Sequence, residues 1–213
     1  MAPGRYVSTG GLPDVAAVAD LVQAAYERFR GVGDGVVSEV YPALSRVDPD
    51  SFGICVSAID GRVFEAGDAR LPFTIMSVAK PFVFALTCQA VGVDVLRSMV
   101  GVNATGLAFN SVQAVEQAEA GRTNPMVNPG AIATTSLTPG RSVEERWQFI
   151  VDGLSRFAGR RLGLDDGVLT SALATNHRNR ALAALLKSVG ALAGDPDEAT
   201  ELYTRQSCLS VAA

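Results

Sequence analysis

The sequence is poor in histidine, cysteine and lysine, and each scarcity excludes some chemistry. One histidine, His177, occurs in 213 residues. A Ser-His-Asp triad or a His-based zinc site would have to use it alone. It sits among Asn176, Arg178 and Asn179, with no spaced carboxylate or second histidine. Three cysteines, Cys55, Cys88 and Cys208, are odd in number and far apart. They fit no metal spacing and no disulfide framework, and read as small buried apolar residues. No metal and no other cofactor is expected. There are only two lysines, Lys80 and Lys187, against sixteen arginines. A lysine kept in so arginine-rich a chain suggests a task arginine cannot perform. Lysine loses its proton when buried and then acts as a base, whereas arginine stays charged.

Other absences set the compartment and the partners. No apolar run approaches the roughly 20 residues that a bilayer span needs, and residues 1–11 lack a charged-then-apolar leader pattern. A cytoplasmic chain without a membrane partner is the expectation. The net charge is −4 and the pI about 5.0, which gives no electrostatic reason to expect nucleic acid. With 48% hydrophobic and 19% charged residues, the chain can bury a sizeable core.

Residues 12–30 carry Val15, Val18, Val22, Tyr26 and Phe29 at helical spacing, with Gly31 as a stop. Residues 52–58 alternate, Asp60-Gly61 follows, and Val63-Phe64 resumes. That pattern predicts an antiparallel hairpin. Residues 77–91 are apolar nearly throughout and end at Gly92, which predicts a helix buried on all faces. Pro81 fits only its first turn, so the helix should begin close to Ser77. Residues 92–140 show little periodicity and read as loops around short helices. Ser142 and Glu145 predict a capping box ahead of Trp147, Ile150 and Leu154. Residues 167–189 read as helix, in two pieces, and Asp195, Pro196 and Glu198 open another bearing Leu202 and Tyr203. The fold class is α/β (α+β), a small antiparallel sheet with a large helical part. A lone hairpin is a poor sheet, so helices must cover it or partner strands lie elsewhere.

Ser77-Val78-Ala79-Lys80 is an S-x-x-K motif. Positions i and i+3 share a helix face. A lysine amine deprotonated by burial can take the serine hydroxyl proton, and free N–H groups of the helix start can stabilise an oxyanion. The bland alternative is an ordinary serine cap beside a surface lysine. The motif alone does not choose among beta-lactamases, penicillin-binding proteins, esterases and amidases.

Longer segments narrow the choice. Residues 61–68 and 73–81 around Ser77, residues 100–111 ending in Phe109-Asn110-Ser111, and residues 124–132, N-P-M-V-N-P-G-A-I, resemble the serine-dependent glutaminase family. So do residues 178–183, R-N-R-A-L-A, and Tyr203 through Val211. The matches keep family order over roughly residues 26–211. The resemblance implies a beta-lactamase/transpeptidase-like fold and hydrolysis of L-glutamine to L-glutamate and ammonia. It places the nucleophile at Ser77, the base at Lys80 and an active-site tyrosine at Tyr41. Asn128, Asn179 and Tyr203, with Ser77, match substrate-holding residues. It also implies a homo-oligomer. Taken singly, these residues have plainer readings: Asn124 and Asn128 as turn residues, Asn179 as an exposed polar residue, Tyr41 and Tyr203 as packing aromatics.

The sequence departs from the family at two places. A glutamate that contacts the substrate ammonium is expected seven residues before Asn179, and Ala172 stands there. On one continuous helix that spacing puts both side chains on the same face. Loss of such a charge-assisted contact costs about 1.5–3 kcal/mol of binding. Family members also continue past residue 213, with a further tyrosine, a glycine-rich segment and more sheet strands. The expectation is therefore a single glutaminase-like domain, residues 1–213, incomplete at its C-terminus. Two alternatives stand beside it. One is another S-x-x-K hydrolase, although no S-D-N, Y-x-N or K-T-G occurs. The other is a paralogue that binds without turnover.

Overall fold

The computed structural model describes residues 14–212. The expected helix start at Leu12 and residues 1–11 lie outside the described residues. The described residues divide into two compact units, one holding residues 38–46 and 73–211 and the other residues 14–37, 47–72 and 212.

The smaller unit is a helix on a hairpin. Helix α1 (Val15–Phe29) starts at Asp14, whose Oδ1 accepts from Ala17 N at 2.8 Å. That cap satisfies one of the orphan donors of a helix start. Strands β1 (Gly53–Ser57) and β2 (Val63–Gly67) pair antiparallel, Gly53 opposite Gly67 and Ser57 opposite Val63. The Asp60-Gly61 turn forms as expected, with Gly61 at φ 85° and Asp60 Oδ1 accepting from Arg62 N. The alternation gives no clean buried face at the turn end, where Val56 and Val63 stay exposed. Helix α1 covers the other end. Tyr26 stacks on Phe52 with ring centroids 5.7 Å apart. Gly67, at φ 64°, lies so close to the Tyr26 ring that any Cβ would collide with it.

The larger unit is mostly helical. A 3₁₀ turn, Pro42–Arg46, and strand β3 (Phe73–Thr74) precede a second 3₁₀ turn, Met76–Val78, that runs directly into α2 (Ala79–Val91). Then come α3 (Val93–Met99), α4 (Gln113–Gln117), α5 (Asn128–Ser136), α6 (Val143–Phe157), α7 (Asp166–Thr175), α8 (His177–Ser188), α9 (Pro196–Ser207) and β4 (Ser210–Val211). Strand β4 pairs antiparallel with β3. No helix among the described residues is long and apolar enough to cross a membrane.

Helix α5 lies at the centre of this unit, packed by α2, α8 and α9. All nine of its residues are buried, so it has no solvent-facing side and no periodicity that would place it among the short helices expected in residues 92–140. Its hydroxyls are satisfied internally: Thr134 and Thr135 donate to carbonyls four residues back and Ser136 to one three back. Buried Arg146 donates to the carbonyls of Thr135 and Ser136 at its end. A second core joins α2, α6 and α9 through Val83, Ile150, Leu154 and Leu202.

Three local expectations need correction. Helix α2 is not buried all round: Ala79, Lys80, Val83, Leu86 and Thr87 face inward, while Pro81, Ala85, Gln89 and Ala90 are exposed. Small and polar residues mark the outer face that hydropathy alone concealed. At α6, Ser142 Oγ accepts from Glu145 N, but Glu145 Oε2 takes Arg141 N at 2.7 Å. The capping box therefore closes one residue further out. Finally, residues 167–189 form the two expected pieces, α7 and α8, and the break at Asn176 puts Ala172 and Asn179 on different helices rather than on one continuous helix.

Candidate active site

Lys80 anchors the site. The first turn of α2 carries it, and only 4% of its surface is exposed. Its Nζ donates to Asn128 Oδ1 at 2.8 Å and to Met126 O at 3.3 Å. The Phe109 ring lies 5.8 Å from the same nitrogen. Among the described residues no carboxylate pairs with it. Burial lowers its pKa from the ordinary 10.5 to about 8.

Asn128 is the hub. It is the first residue of α5, and Pro129, which lacks the amide a first turn leaves unpaired, helps to start the helix there. Gly130 follows because a Cβ would collide with the Asn124 carbonyl. Asn128 Oδ1 accepts from Lys80 and from the Tyr203 hydroxyl, the latter at 2.9 Å, and its Nδ2 donates to Asn179 Oδ1 at 3.0 Å. The amide orientation follows from donor chemistry: a lysine ammonium only donates, so the oxygen must face it. Three helices and the start of a fourth thus meet at one buried side chain. Asn179 and Tyr203 are both buried. Asn124, by contrast, is a turn residue, its Oδ1 accepting from Met126 N.

Tyr41 lies in a neighbouring apolar cluster with Leu44, Val168, Ala172 and Cys208. Burial raises its pKa, and Cys208 adds to the effect. Tyr203 is raised further by burial and then by Tyr41. Burial, with Asp165 beside it, raises the Cys208 thiol to about 12. Both phenols and the thiol are therefore neutral over the physiological range. Ala172 is wholly buried in this cluster.

Ser77 is exposed, in the 3₁₀ turn that leads into α2. Met76, just before it, has φ 48°, a left-handed conformation costing a residue with a Cβ about 1–2 kcal/mol. The amides of Val78 and Ala79 donate within the turn, to Ile75 and to Met76 and Ser77. The tight turn uses these two donors that an oxyanion was expected to find free. Sequence reasoning did not foresee the Met126 carbonyl or the Phe109 ring beside Lys80. Both are contacts across the chain that no local pattern encodes.

A helical unit with a two-stranded antiparallel ribbon and an S-x-x-K turn entering a half-buried helix has the architecture of the beta-lactamase/transpeptidase-like fold. The sequence pattern of the glutaminase family matches residues 35–213. Glutaminase 2 of Yersinia pestis is 58% identical over 208 residues, covering 98% of this chain and 61% of that protein. A solved structure described as probable glutaminase ybaS superposes with a TM-score of 0.90 at 37% identity, covering 94% of this chain and 65% of that one. Another, of Mglu in its glutamate form, has a TM-score of 0.85 at 35% identity, covering 92% of this chain and 45% of that one. The chain belongs to the glutaminase family, and it spans about three fifths of the length of the Yersinia relative.

Proposed function

We propose that this protein hydrolyses the side-chain amide of L-glutamine to L-glutamate and ammonia, with Ser77 as nucleophile and Lys80 as base. The observation that carries the reading is the Lys80 amine. It is buried, its pKa is lowered to about 8, and it sits on Asn128 one turn beyond an exposed serine. In the first step Ser77 Oγ attacks the amide carbon and its proton passes to Lys80 Nζ. Collapse of the tetrahedral species expels ammonia, whose nitrogen takes the proton back from Lys80. Water then attacks the acyl-enzyme and gives its proton to Lys80 Nζ; collapse breaks the ester bond, Ser77 Oγ takes that proton, and glutamate leaves. Asn128 positions the lysine. With its oxygen engaged by Asn128, Asn179 has its NH₂ group left for the substrate carboxylate. Tyr203 and Tyr41, neutral phenols, supply hydroxyls at the site.

The relatives' names support the substrate, as does the glutamate form of Mglu, since glutamate is the product of this reaction. The family match runs across both compact units, which supports treating residues 1–213 as parts of one glutaminase-like domain. A homo-oligomer acting in the cytoplasm, without nucleic-acid or membrane partners, completes the proposal, and sedimentation tests the assembly. Glutamate and ammonia release from L-glutamine tests the activity, with Ser77→Ala as control. Stoichiometric product that disappears in the variant is the expected result. Equal rates in both proteins contradict it.

One observation favours a second reading. Ala172 is sealed among Tyr41, Leu44, Val168 and Cys208, so no carboxylate is offered at that position to the substrate ammonium. Binding of glutamate in a calorimeter, with no release of ammonia from glutamine, is the outcome that selects binding without turnover.

A further inference from the structure

Phe109 and Arg178 lie outside the residues assigned above, yet both are tied to Lys80. Phe109 is 54% exposed, an unusual place for a phenylalanine, while its ring centre is 5.8 Å from an ammonium that is almost wholly buried. The ring therefore has water on one side and the lysine on the other. Its main chain is held at two adjacent carbonyls. Phe109 O accepts from Asn128 N at 2.7 Å, and Asn110 O accepts from Arg178 Nε at 2.7 Å. Residues 101–112 contain no helix or strand of their own, so these two bonds, with the turn bond from Ser111 N to Ala108 O at 2.9 Å, hold the ring in place. Asn128 and Asn179 belong to the buried amide pair, and Arg178 directly precedes Asn179 on α8. The start of α8 thus reaches the site twice, once through Asn179 and once through the loop.

We infer that Arg178 is a positioning residue for Lys80: by clamping the Phe109-Asn110 main chain it holds the Phe109 ring as a shield that keeps water from the lysine amine. The inference rests on the reading of Lys80 as base, because a shield matters to function only if the amine must be neutral to work. Two effects of an aromatic ring oppose each other here. Its face attracts a cation, which favours the protonated amine, and its bulk excludes water, which favours the neutral one. Burial is the cause that moves Lys80, and it moves it downward. The sign of the shift in Phe109→Ala decides which of the ring's two effects is the larger. The other titratable groups do not compete. Tyr203 on α9 shares Asn128 Oδ1 with the lysine, Tyr41 lies next to Tyr203, and burial keeps both phenols neutral. The Arg178 guanidinium, on α8, is engaged at Asn110.

The scarcity of lysine makes a direct test simple. With two lysines in the chain, ¹³C-labelled lysine gives two side-chain NMR signals, and Lys187→Arg assigns them. The expected titration midpoint of Lys80 lies near 8 in the parent protein. Phe109→Ala should move it up by one unit or more, and Arg178→Gln should move it the same way by less. Arg178→Lys, which keeps a donor for Asn110 O and adds a third lysine signal, should leave the Lys80 midpoint closer to the parent's than Arg178→Gln does. An unmoved or lowered midpoint in a folded Phe109→Ala protein overturns the shield, and so does an unmoved midpoint in Arg178→Gln. This readout needs no turnover. A midpoint that shifts in a protein releasing no ammonia upholds the shield and counts against the base assignment alone.

Discussion

Two adjoining parts of the larger unit differ in how they use burial. Around Lys80 the buried atoms are polar and matched donor to acceptor: lysine, asparagine, asparagine and tyrosine, drawn from α2, α5, α8 and α9. Around Ala172 the buried atoms are mostly apolar, with Tyr41, Leu44, Val168 and Cys208 packed against a methyl group. The first arrangement holds a cation in the interior at the cost of a lowered pKa. The second leaves no partner for a charge at all. A matched network tolerates neither partner's removal, and a matched apolar cluster does not tolerate a charge. On the proposed reading the chemistry belongs to the first part, and the second holds the position where the resemblance implies a glutamate.

The largest effect should come from breaking the polar side. Lys80→Arg keeps a positive charge but removes the base, and glutamine hydrolysis should fall by roughly 10²–10⁴-fold. Circular dichroism checks that the fold survives. Retained activity in the variant sinks the Ser-Lys assignment. Next comes the apolar side. Ala172→Glu places an unpaired carboxylate where no solvent reaches, and should lower stability by about 3 kcal/mol, read as a shift in the urea midpoint. On a continuous helix the same substitution would have aimed a carboxylate beside Asn179 and improved glutamine binding. The break at Asn176 puts the two residues on different helices, and Ala172 is wholly buried. A stable variant with a lower KM would restore the earlier view and erase the contrast.

Smaller changes sharpen the comparison. Tyr203→Phe removes one of the two donors to Asn128 Oδ1 while leaving Lys80 in place. A loss of about 1 kcal/mol is expected in denaturant titration. The pH dependence has a definite sign. The folded-state pKa of Lys80, about 8, lies below the ordinary 10.5. Below 8 both states carry the proton, and the folded state bears the cost of a buried cation. Between 8 and 10.5 the unfolded chain holds more protons, so stability from this group rises with pH. Urea midpoints of the parent and of Lys80→Met, compared across that window, should diverge with this slope. Parallel curves would mean that Lys80 titrates as it does in water.

Much of this architecture was legible in the sequence. The Asp60-Gly61 hairpin, the helix entered at Ser77, the two pieces of residues 167–189 and the Asp195-Pro196 helix start all rest on short-range turn and cap chemistry. Helix α5 was not legible, because a helix buried on every side shows no periodicity. The buried asparagine hub was named only through the family resemblance. By residue type Asn128 and Asn179 read as a turn and a surface position, and what gathers them is packing among helices far apart in the chain. Phe109 and the Met126 carbonyl were missed for the same reason. The opposite error occurred at Ala172. Sequence spacing implied a shared face with Asn179, and the break at Asn176 puts the two on different helices.

The most direct test of the central claim is the pH dependence of kcat/KM for L-glutamine. This profile reports the proton affinity of the free protein's essential base. The account predicts a rise governed by an apparent pKa near 8, matching the buried amine of Lys80, with no such rise left in Lys80→Arg. A profile flat across that range in an active protein, or a rise that persists in the arginine variant, would contradict the assignment of Lys80 as the base.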